Sequence, residues 1–393
     1  MRGIAHVARR ELSLIAGHPA LIWLTLILPL LLLAVLAAVF LRGIPTDLPF
    51  AVVDLDRTET SRSLSRMLEA TPELTTHPAL SLPAASDDIR AGRARGAVLI
   101  AQGFERDLLD RRRPEIVLFY DNQHMTAGAI AARGARGAIN SFIAGAQMGM
   151  LRAQGTDATA VAALVQPIPM QIHALFNPAF SYIDFLLSAV VPAVVQIMAA
   201  AAVTYALALD FARPATGGAP PMLALSRQAG GVLPAMLGKL IPYTLIFLAV
   251  IGLADLVLFG VLEVPLRGSV ALLLIGAVLF VVAAALIGGL AYLLMRDFGL
   301  AISGVAIMLA PAFGYMGIGF PREAMPALAR WWSDLLPGTW YLQLRIDQTL
   351  RATPRDLSLP PLLALLAITA GLAVLVLVRL ALMQRRALDG GAP

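Results

Sequence analysis

Six apolar runs, each long enough to cross a bilayer, divide this chain one plus five. They are Leu21–Leu41, Phe185–Leu209, Leu240–Leu262, Val270–Leu294, Leu300–Phe320 and Leu359–Val378, each 20 to 25 residues, against the roughly 20 that a helix needs to span about 30 Å of hydrocarbon. About 140 mostly polar residues separate the first run from the second. Hydrophobic residues make up 59% of the chain and charged residues 14%, well below the roughly 25% charged residues of soluble domains. The expected fold class is therefore an α-helical integral membrane protein with six transmembrane helices and an inserted α/β domain.

The flanks of the runs set the boundaries. Residues 1–19 read as a cytoplasmic amphipathic helix, 20–42 as the first transmembrane helix and 43–179 as an extracytoplasmic α/β domain. Residues 180–386 form a five-helix transmembrane domain, with a cytoplasmic loop over 210–239 and an outer hairpin over 321–345, and 387–393 are a cytoplasmic tail. Orientation follows from charge, because short cytoplasmic loops collect Lys and Arg. Placing the N-terminus inside puts Arg2, Arg9, Arg10, Arg213, Arg227, Lys239, Arg296, Arg379, Arg385 and Arg386 in the cytoplasm, with only Glu11, Asp210, Asp297 and Asp389 to balance them. The outer segments hold Arg267, Arg322, Arg330, Arg345, Arg351 and Arg355 against a nearly equal number of acids, so both termini are expected inside.

The formal charge of +5 belongs to the membrane part, since the insert is balanced in charge. The arginines flank spans, which argues for membrane topology and against nucleic acid as a partner. With no cysteine, neither a disulfide scaffold nor a thiolate metal site is available. The first run is longer than the apolar stretch of a signal peptide and no cleavage motif follows at Arg42-Gly43-Ile44-Pro45, so it is read as a retained anchor.

Within the insert, Leu48–Asp54 is a short β-rich run ending at acidic turn residues, and Thr58 to Ser61 is a plausible helix start. Arg62–Ala70 carries Leu64, Met67 and Leu68 at helical spacing. Ala97–Ile100 and Ile116–Tyr120 read as buried strands, with a short helix over Phe104–Arg112 between them. Strand and helix in alternation argue for a small α/β domain. Small residues dominate Ala127–Met150, with Arg133 and Arg136 among them, and read as a long helix. His6, His18, His77, His124 and His173 lack the close spacing of a zinc site and are expected as surface or capping residues. The acids Asp54, Asp56, Asp87 and Asp88 sit at strand ends and helix starts, where carboxylates favour turns and N-termini, so no hydrolytic site is read from them.

Several segments, in their order and spacing, resemble the permease subunits of type-two ABC exporters with a large extracytoplasmic domain after the first span. These are Ala8 to Leu12 leading to His18-Pro19, Ala51-Val52-Val53-Asp54-Leu55-Asp56, Phe119-Tyr120-Asp121-Asn122, Phe176-Asn177-Pro178, Gly238 to Tyr243, and Pro321 to Tyr341. The resemblance runs nearly end to end. It implies a six-span half-transporter in a bacterial cytoplasmic (inner) membrane that pairs with a second permease subunit. An ABC ATPase subunit would bind the ATP and magnesium, and a periplasmic adaptor would be a further partner. The cargo would be an amphipathic or hydrophobic drug, lipid or polymer moved outward. Two departures stand out: the loop after Asp210 reads Arg213 to Pro221 instead of a Glu-Arg-Gly stretch, and Ser188-Ala189 replaces an early Pro-Gly in the second span.

The chain itself lacks a phosphate-cradling loop, since its one lysine, Lys239, is followed by Leu240 and has no glycine at the required distance before it. No cofactor and no catalytic residue are expected here. Two segments are candidates for coupling to the ATPase. Met222 to Gln228 could dock in its groove through Leu223, Leu225 and Arg227, and the N-terminal stretch places Arg10 and Glu11 opposite an apolar stripe of Ile4, Val7 and Leu14, suited to the headgroup plane. Asp255 is the acid well inside a span. A place on the translocation path is weighed against a water-exposed or neutral acid, and the latter is the expectation. Gly314 and Gly317, near Pro311 and Gly319, are candidates for the same path, with close helix packing as the simpler role. Pro326, Trp331, Trp332, Pro337, Trp340 and Tyr341 suit an interfacial or re-entrant hairpin, the resemblance favouring re-entry. Two other classes stay open: a sensor binding a ligand through the exported domain, whose cytoplasmic segments are too short for a folded output domain, and a secondary transporter, for which repeated halves are missing.

Overall fold

The computed structural model describes residues 2–40, 43, 45–110, 112, 114–153, 175–177, 181–212 and 221–388. The chain divides into two compact units, one of residues 1–43 with 175–393 and one of residues 44–174.

The helical unit begins with α1 (Arg2–Gly17), which buries Val7, Glu11, Leu14 and Ile15. Its membrane-length helices are α2 (Pro19–Phe40), α7 (Ile183–Phe211), α9 (Val232–Gly260), α10 (Val270–Met295), α11 (Phe298–Tyr315) and α14 (Arg355–Arg385). Among the described residues, then, six helices are long and apolar enough to span a bilayer, in the order the sequence gives. Between α7 and α9 lies α8 (Pro221–Ala229); between α11 and α14 lie α12 (Ala327–Leu335) and α13 (Pro337–Ile346), joined at Leu336.

Helix α10 is the centre of this unit. Its whole length is apolar, and Phe280, Val281, Ala284 and Leu293 are fully enclosed. Such all-round hydrophobicity marks a helix with neighbours on most sides. Gly288 sets its distance from α7: a Cβ there would overlap the Ala200 carbonyl oxygen. Thr204 completes that contact, its hydroxyl lying 2.8 Å from the Ala200 carbonyl and 3.0 Å from that of Gly288. Small residues permit this approach, and without a hydrophobic drive between helices in lipid, close contact must hold them.

Three spans differ from the sequence reading. Helix α9 starts at Val232, eight residues before the apolar run, because Lys239 is enclosed by partners rather than exposed at a membrane edge. Helix α14 runs from Arg355, its Pro360 and Pro361 lying inside the helix. The fifth apolar run does not continue as helix to Phe320: α11 is interrupted by the turn at Ala310 and Pro311, and its last piece is the single turn Ala312–Tyr315. Pro311 has no N–H to continue the ladder.

The second unit is a four-stranded sheet of β1 (Leu48–Asp54), β2 (Leu74–Pro78), β3 (Gly96–Ile100) and β4 (Ile116–Tyr120), in the order β2-β1-β3-β4. β1 is parallel to β2 and β3, while β4 is antiparallel to β3, with Val98 opposite Leu118. The helices are α3 (Glu59–Glu69), α4 (Leu82–Arg90), α5 (Phe104–Leu109) and α6 (Met125–Ala153). The period of two sorts the strand side chains: Phe50, Val52, Val98 and Ile100 pack with Leu64 and Leu68 of α3, Phe104 of α5 and Ala131 and Ala135 of α6. Ala51, Val53 and Ala97 pack with Ala85 of α4. The three expected strands are present. β2 and α4 were not expected, since Leu74-Thr75-Thr76-His77-Pro78 is weakly apolar and α4 is announced by little beyond Ser81, which caps it by accepting from the Ala84 N–H at 3.4 Å.

The acids of this unit do the structural work read for them. Asp54 accepts from the N–H groups of Asp56 and Arg57 and from the Ser61 hydroxyl. Asp56 reaches across to the start of α5, accepting from Gly103 N at 2.7 Å and Glu105 N at 3.0 Å. Burial works against its charge, but these backbone donors and the Thr58 hydroxyl outweigh it and hold the carboxyl below its ordinary value. Among the described histidines, His77 pairs with Asp88 at 3.2 Å and His124 with Asp121 at 2.7 Å, and His18 Nδ1 lies 2.9 Å from the Leu14 carbonyl. No group of three or more potential metal-ligating side chains occurs among the described residues. His173, Arg213 to Pro220 and the tail from Asp389 lie outside the described residues.

Candidate functional site

Arg10 and Glu11, candidates from sequence, are drawn into one ring of charge with two residues that sequence reasoning did not connect to them. Helix α1 does not lie free as an amphipathic surface helix; it packs on α9, and Gly238 allows this, since a Cβ there would come within 2.7 Å of the Ile4 carbonyl oxygen and of the Val7 Cβ. Glu11 is thereby fully buried. Lys239 Nζ, also fully buried, donates to Glu11 Oε2 at 2.9 Å and to Asp210 Oδ2 at 2.7 Å. Arg10 closes the ring by donating to Glu11 Oε1 at 2.7 Å and to Asp210 Oδ1. The Tyr243 hydroxyl donates to Glu11 Oε2 at 3.3 Å.

Two cations and two carboxylates thus pair each with each. Burial alone would weaken the Arg10 charge, yet the hydrogen bond and charge of Asp210, followed by those of Glu11, hold its pKa above the ordinary value. Removing one member of such a set leaves a buried charge uncompensated, at about 3–5 kcal/mol. The ring ties α1 to the C-terminal end of α7 and the N-terminal part of α9. Arg10 and Asp210 are 200 positions apart and Glu11 and Lys239 are 228, and no local signal in the sequence links α1 to the other two helices.

Helix α8 sits against the same assembly. A Cβ on Gly3 would overlap the backbone of Ala229, so α1 and α8 are in backbone contact. The helix has two faces. Leu225 is buried with the main apolar core, and Ser226 is buried and reached by the Gln384 side-chain amide at 3.4 Å, whereas Arg227 and Gln228 are exposed. The expectation that Leu225 inserts into a partner is corrected here: it is already spent on the chain's own core. Leu223 lies on the same helix, and its side chain is outside the described set.

Asp255 keeps part of its side chain exposed and has a partner that the sequence reading did not supply. Arg345 of α13, fully buried, grips both carboxylate oxygens, Nη1 donating to Oδ2 at 3.2 Å and Nη2 to Oδ1, a bidentate geometry suited to a planar guanidinium. The guanidinium also lies 5.6 Å from the Phe259 ring centroid. Beside it, Tyr341 stacks on Phe280 at 4.6 Å. Two further arginines near this clasp are paired as well, Arg322 with Asp334 and Arg351 with Asp347.

The glycines also depart from the expectation of close packing. A Cβ on Gly314 would meet nothing within 4 Å, while Gly317 has φ +91° and stands beside the Arg322 stem, a backbone conformation that favours glycine.

A family model described as ABC-2 family transporter protein matches residues 19–378. The chain belongs to the ABC-2 transporter family. The match spans both units and all six membrane-length helices but leaves α1 outside it, so the charge ring joins matched helices α7 and α9 to an element before the matched region. ABC-2 family proteins of this kind are membrane subunits of transporters, generally without an ATPase site of their own and working with an ABC ATPase. No curated protein matches this ABC-2 family chain in sequence.

Proposed function

We propose that this ABC-2 family protein is the permease subunit of an ATP-driven exporter, paired with a second permease, identical or not, and with ABC ATPase subunits in a bacterial inner membrane. In this reading both termini are cytoplasmic, residues 44–174 form an extracytoplasmic domain, and the cargo is an amphipathic or hydrophobic molecule moved outward. The observation that carries the reading is the buried ring of Arg10, Glu11, Asp210 and Lys239. It makes α1 and the ends of α7 and α9 one block, with α8 packed on it and Arg227 facing outward. A force applied to that block is delivered to two spans at once. A single exposed loop would instead dissipate it, as packed elements move as discrete bodies.

The exposed face of α8, with Arg227 and Gln228, and the exposed Arg9 of α1 are the surface this reading assigns to the ATPase. Asp255 then belongs to a structural clasp between α9 and α13, while α12 and α13 form the re-entrant hairpin. The test is purification from native membranes. The chain should bring an ABC ATPase with it, and hydrolysis should vanish when that subunit is removed. Hydrolysis by the stripped chain, or labelling of a Gln102→Cys variant from the cytoplasmic side, would overturn the proposal.

A further inference from the structure

Strand β4 is paired on one side only. Asp121 N–H donates to the Arg95 carbonyl at 2.8 Å and Ala101 N–H to the Glu115 carbonyl at 3.4 Å. Because an antiparallel ladder alternates, Val117 and Phe119 turn their backbone groups to β3. The N–H and C=O groups of Ile116, Leu118 and Tyr120 therefore point the other way, where they have no hydrogen-bond partner among the described residues. Such an edge is a template for another strand, and edges are ordinarily blunted by charge, proline or a bulge. The opposite edge of the sheet, β2, is closed in this way, since it ends at Pro78, which has no N–H to offer. β4 reads Ile116-Val117-Leu118-Phe119-Tyr120, with no charge and no proline. It leaves Phe119 37% and Tyr120 46% exposed, one on each face of the sheet.

What covers this edge must itself be a short, uncharged, apolar strand with its bonding groups free. The chain carries such a strand in β4 itself. Antiparallel pairing of two copies is an isologous contact about a two-fold axis. With the axis at Leu118, Leu118 faces Leu118 and Ile116 faces Tyr120 as bonded pairs, so every open N–H and C=O of the strand is satisfied. Val117 then lies opposite Phe119. Ile116 with Tyr120 and Val117 with Phe119 are both pairings of a β-branched with an aromatic side chain, which stabilise sheets. At the margin Glu115 comes opposite Asp121, whose carboxylate is already held by His124 at 2.7 Å and Arg95 at 3.7 Å, which blunts the repulsion. Ile116 and Leu118 pack on the core shared with α6, so the edge is pre-formed and pairing costs little ordering.

We propose that two copies of this chain join through β4, making one continuous sheet from two four-stranded ones. This deepens the proposed function in one respect, naming the second permease as an identical chain, and rests on that reading only there. The contact itself needs neither the ATPase nor a direction of transport.

The full-length chain has no cysteine, so a single one reports on the contact. In membranes treated with a mild oxidant, Leu118→Cys should give a covalent dimer of the chain, because bonded partners lie about 5.5 Å apart at Cα, within disulfide reach. Thr75→Cys, exposed on β2, should give none. Adding Phe119→Lys, which puts a charge on the exposed edge, should cut the Leu118 cross-link about tenfold. Amide hydrogen exchange of the purified chain supplies a second measurement that leaves Leu118 unchanged. The Ile116, Leu118 and Tyr120 amides should be protected in the parent chain and exchange about tenfold faster or more in Phe119→Lys. The Val117 and Leu99 amides, bonded within the unit, should stay protected in both, which sets a lost contact apart from a lost fold. Fast exchange at Ile116, Leu118 and Tyr120 in the parent chain would overturn the proposal. So would equal cross-linking of Thr75→Cys and Leu118→Cys, protection unchanged in Phe119→Lys, or no cross-link from a Leu118→Cys variant whose Val117 amide stays protected. Each of these would leave the permease reading standing, since co-purification of the ATPase tests that separately.

Discussion

Breaking the clasp between Asp255 and Arg345 should cost unequal amounts depending on which partner is removed. Arg345 has no exposed side-chain surface, whereas 15% of the Asp255 side chain remains exposed. Asp255→Leu strands a guanidinium that cannot shed its proton and is sealed from water, so the cost should approach the full penalty of an uncompensated buried charge, about 3–5 kcal/mol. Arg345→Met strands a carboxyl that is already partly exposed and can turn toward water, so its cost should be lower, about 2–3 kcal/mol including lost packing on Phe259. The double variant should recover most of the loss, because a buried pair replaced by apolar side chains is often neutral or better. The assay is SDS-induced unfolding of the full-length chain in mixed micelles. Tryptophan emission is a fitting reporter, as Trp331, Trp332 and Trp340 all lie on the hairpin that Arg345 anchors. Additive single losses in the double variant, or a cost below about 1 kcal/mol for Asp255→Leu, would refute the clasp.

Gly288→Ala should destabilise the α7–α10 contact by more than the usual surface substitution, since the added methyl meets the Ala200 carbonyl; an unchanged SDS midpoint would contradict the packing described. Asp56→Ala should remove the cap of α5 across the sheet, at about 1 kcal/mol, and speed hydrogen exchange at Gly103 and Glu105. Because the Asp56 carboxyl sits below its ordinary value in the folded state, its contribution is fully present above the unfolded pKa and is lost as pH falls through the folded one. Acidification below about pH 4 should therefore lower the protection of these amides, taken relative to the intrinsic exchange rate at the same pH, in the parent chain and change it little in Asp56→Ala.

How much the sequence disclosed depended on the range of the physical signal. Span number and order were legible because twenty consecutive apolar residues are a local, strong signal, and β1, β3 and β4 because buried strands such as Ala97–Ile100 carry continuous apolar side chains. β2 escaped notice because parallel pairing with β1 holds it in the sheet, and Leu74-Thr75-Thr76-His77-Pro78 has little burial of its own to show. Lys239 was read as a flanking charge because a cation near a predicted span end ordinarily is one. Its burial is made tolerable by Asp210, 29 positions before it, and by Glu11, 228 positions before it. Arg345 was counted with the outer charges for the same reason, which left Asp255 without a visible partner. Leu225 and Arg227 were both offered to the ATPase. The helix that holds them was legible, but which side of it faces the core depends on α1 and α9.

The central claim is that the block of α1, α8 and the ends of α7 and α9 receives motion from an ABC ATPase. Its most direct test is site-specific photo-crosslinking in native membranes, with a photoreactive side chain placed in turn at Arg227, Arg9 and Gln102. The account predicts adducts with the ATPase from Arg227 and Arg9, both exposed on the block, and none from Gln102 in the α/β unit. An ATPase adduct from Gln102, or none from either Arg227 or Arg9 while the subunits remain bound, would contradict it.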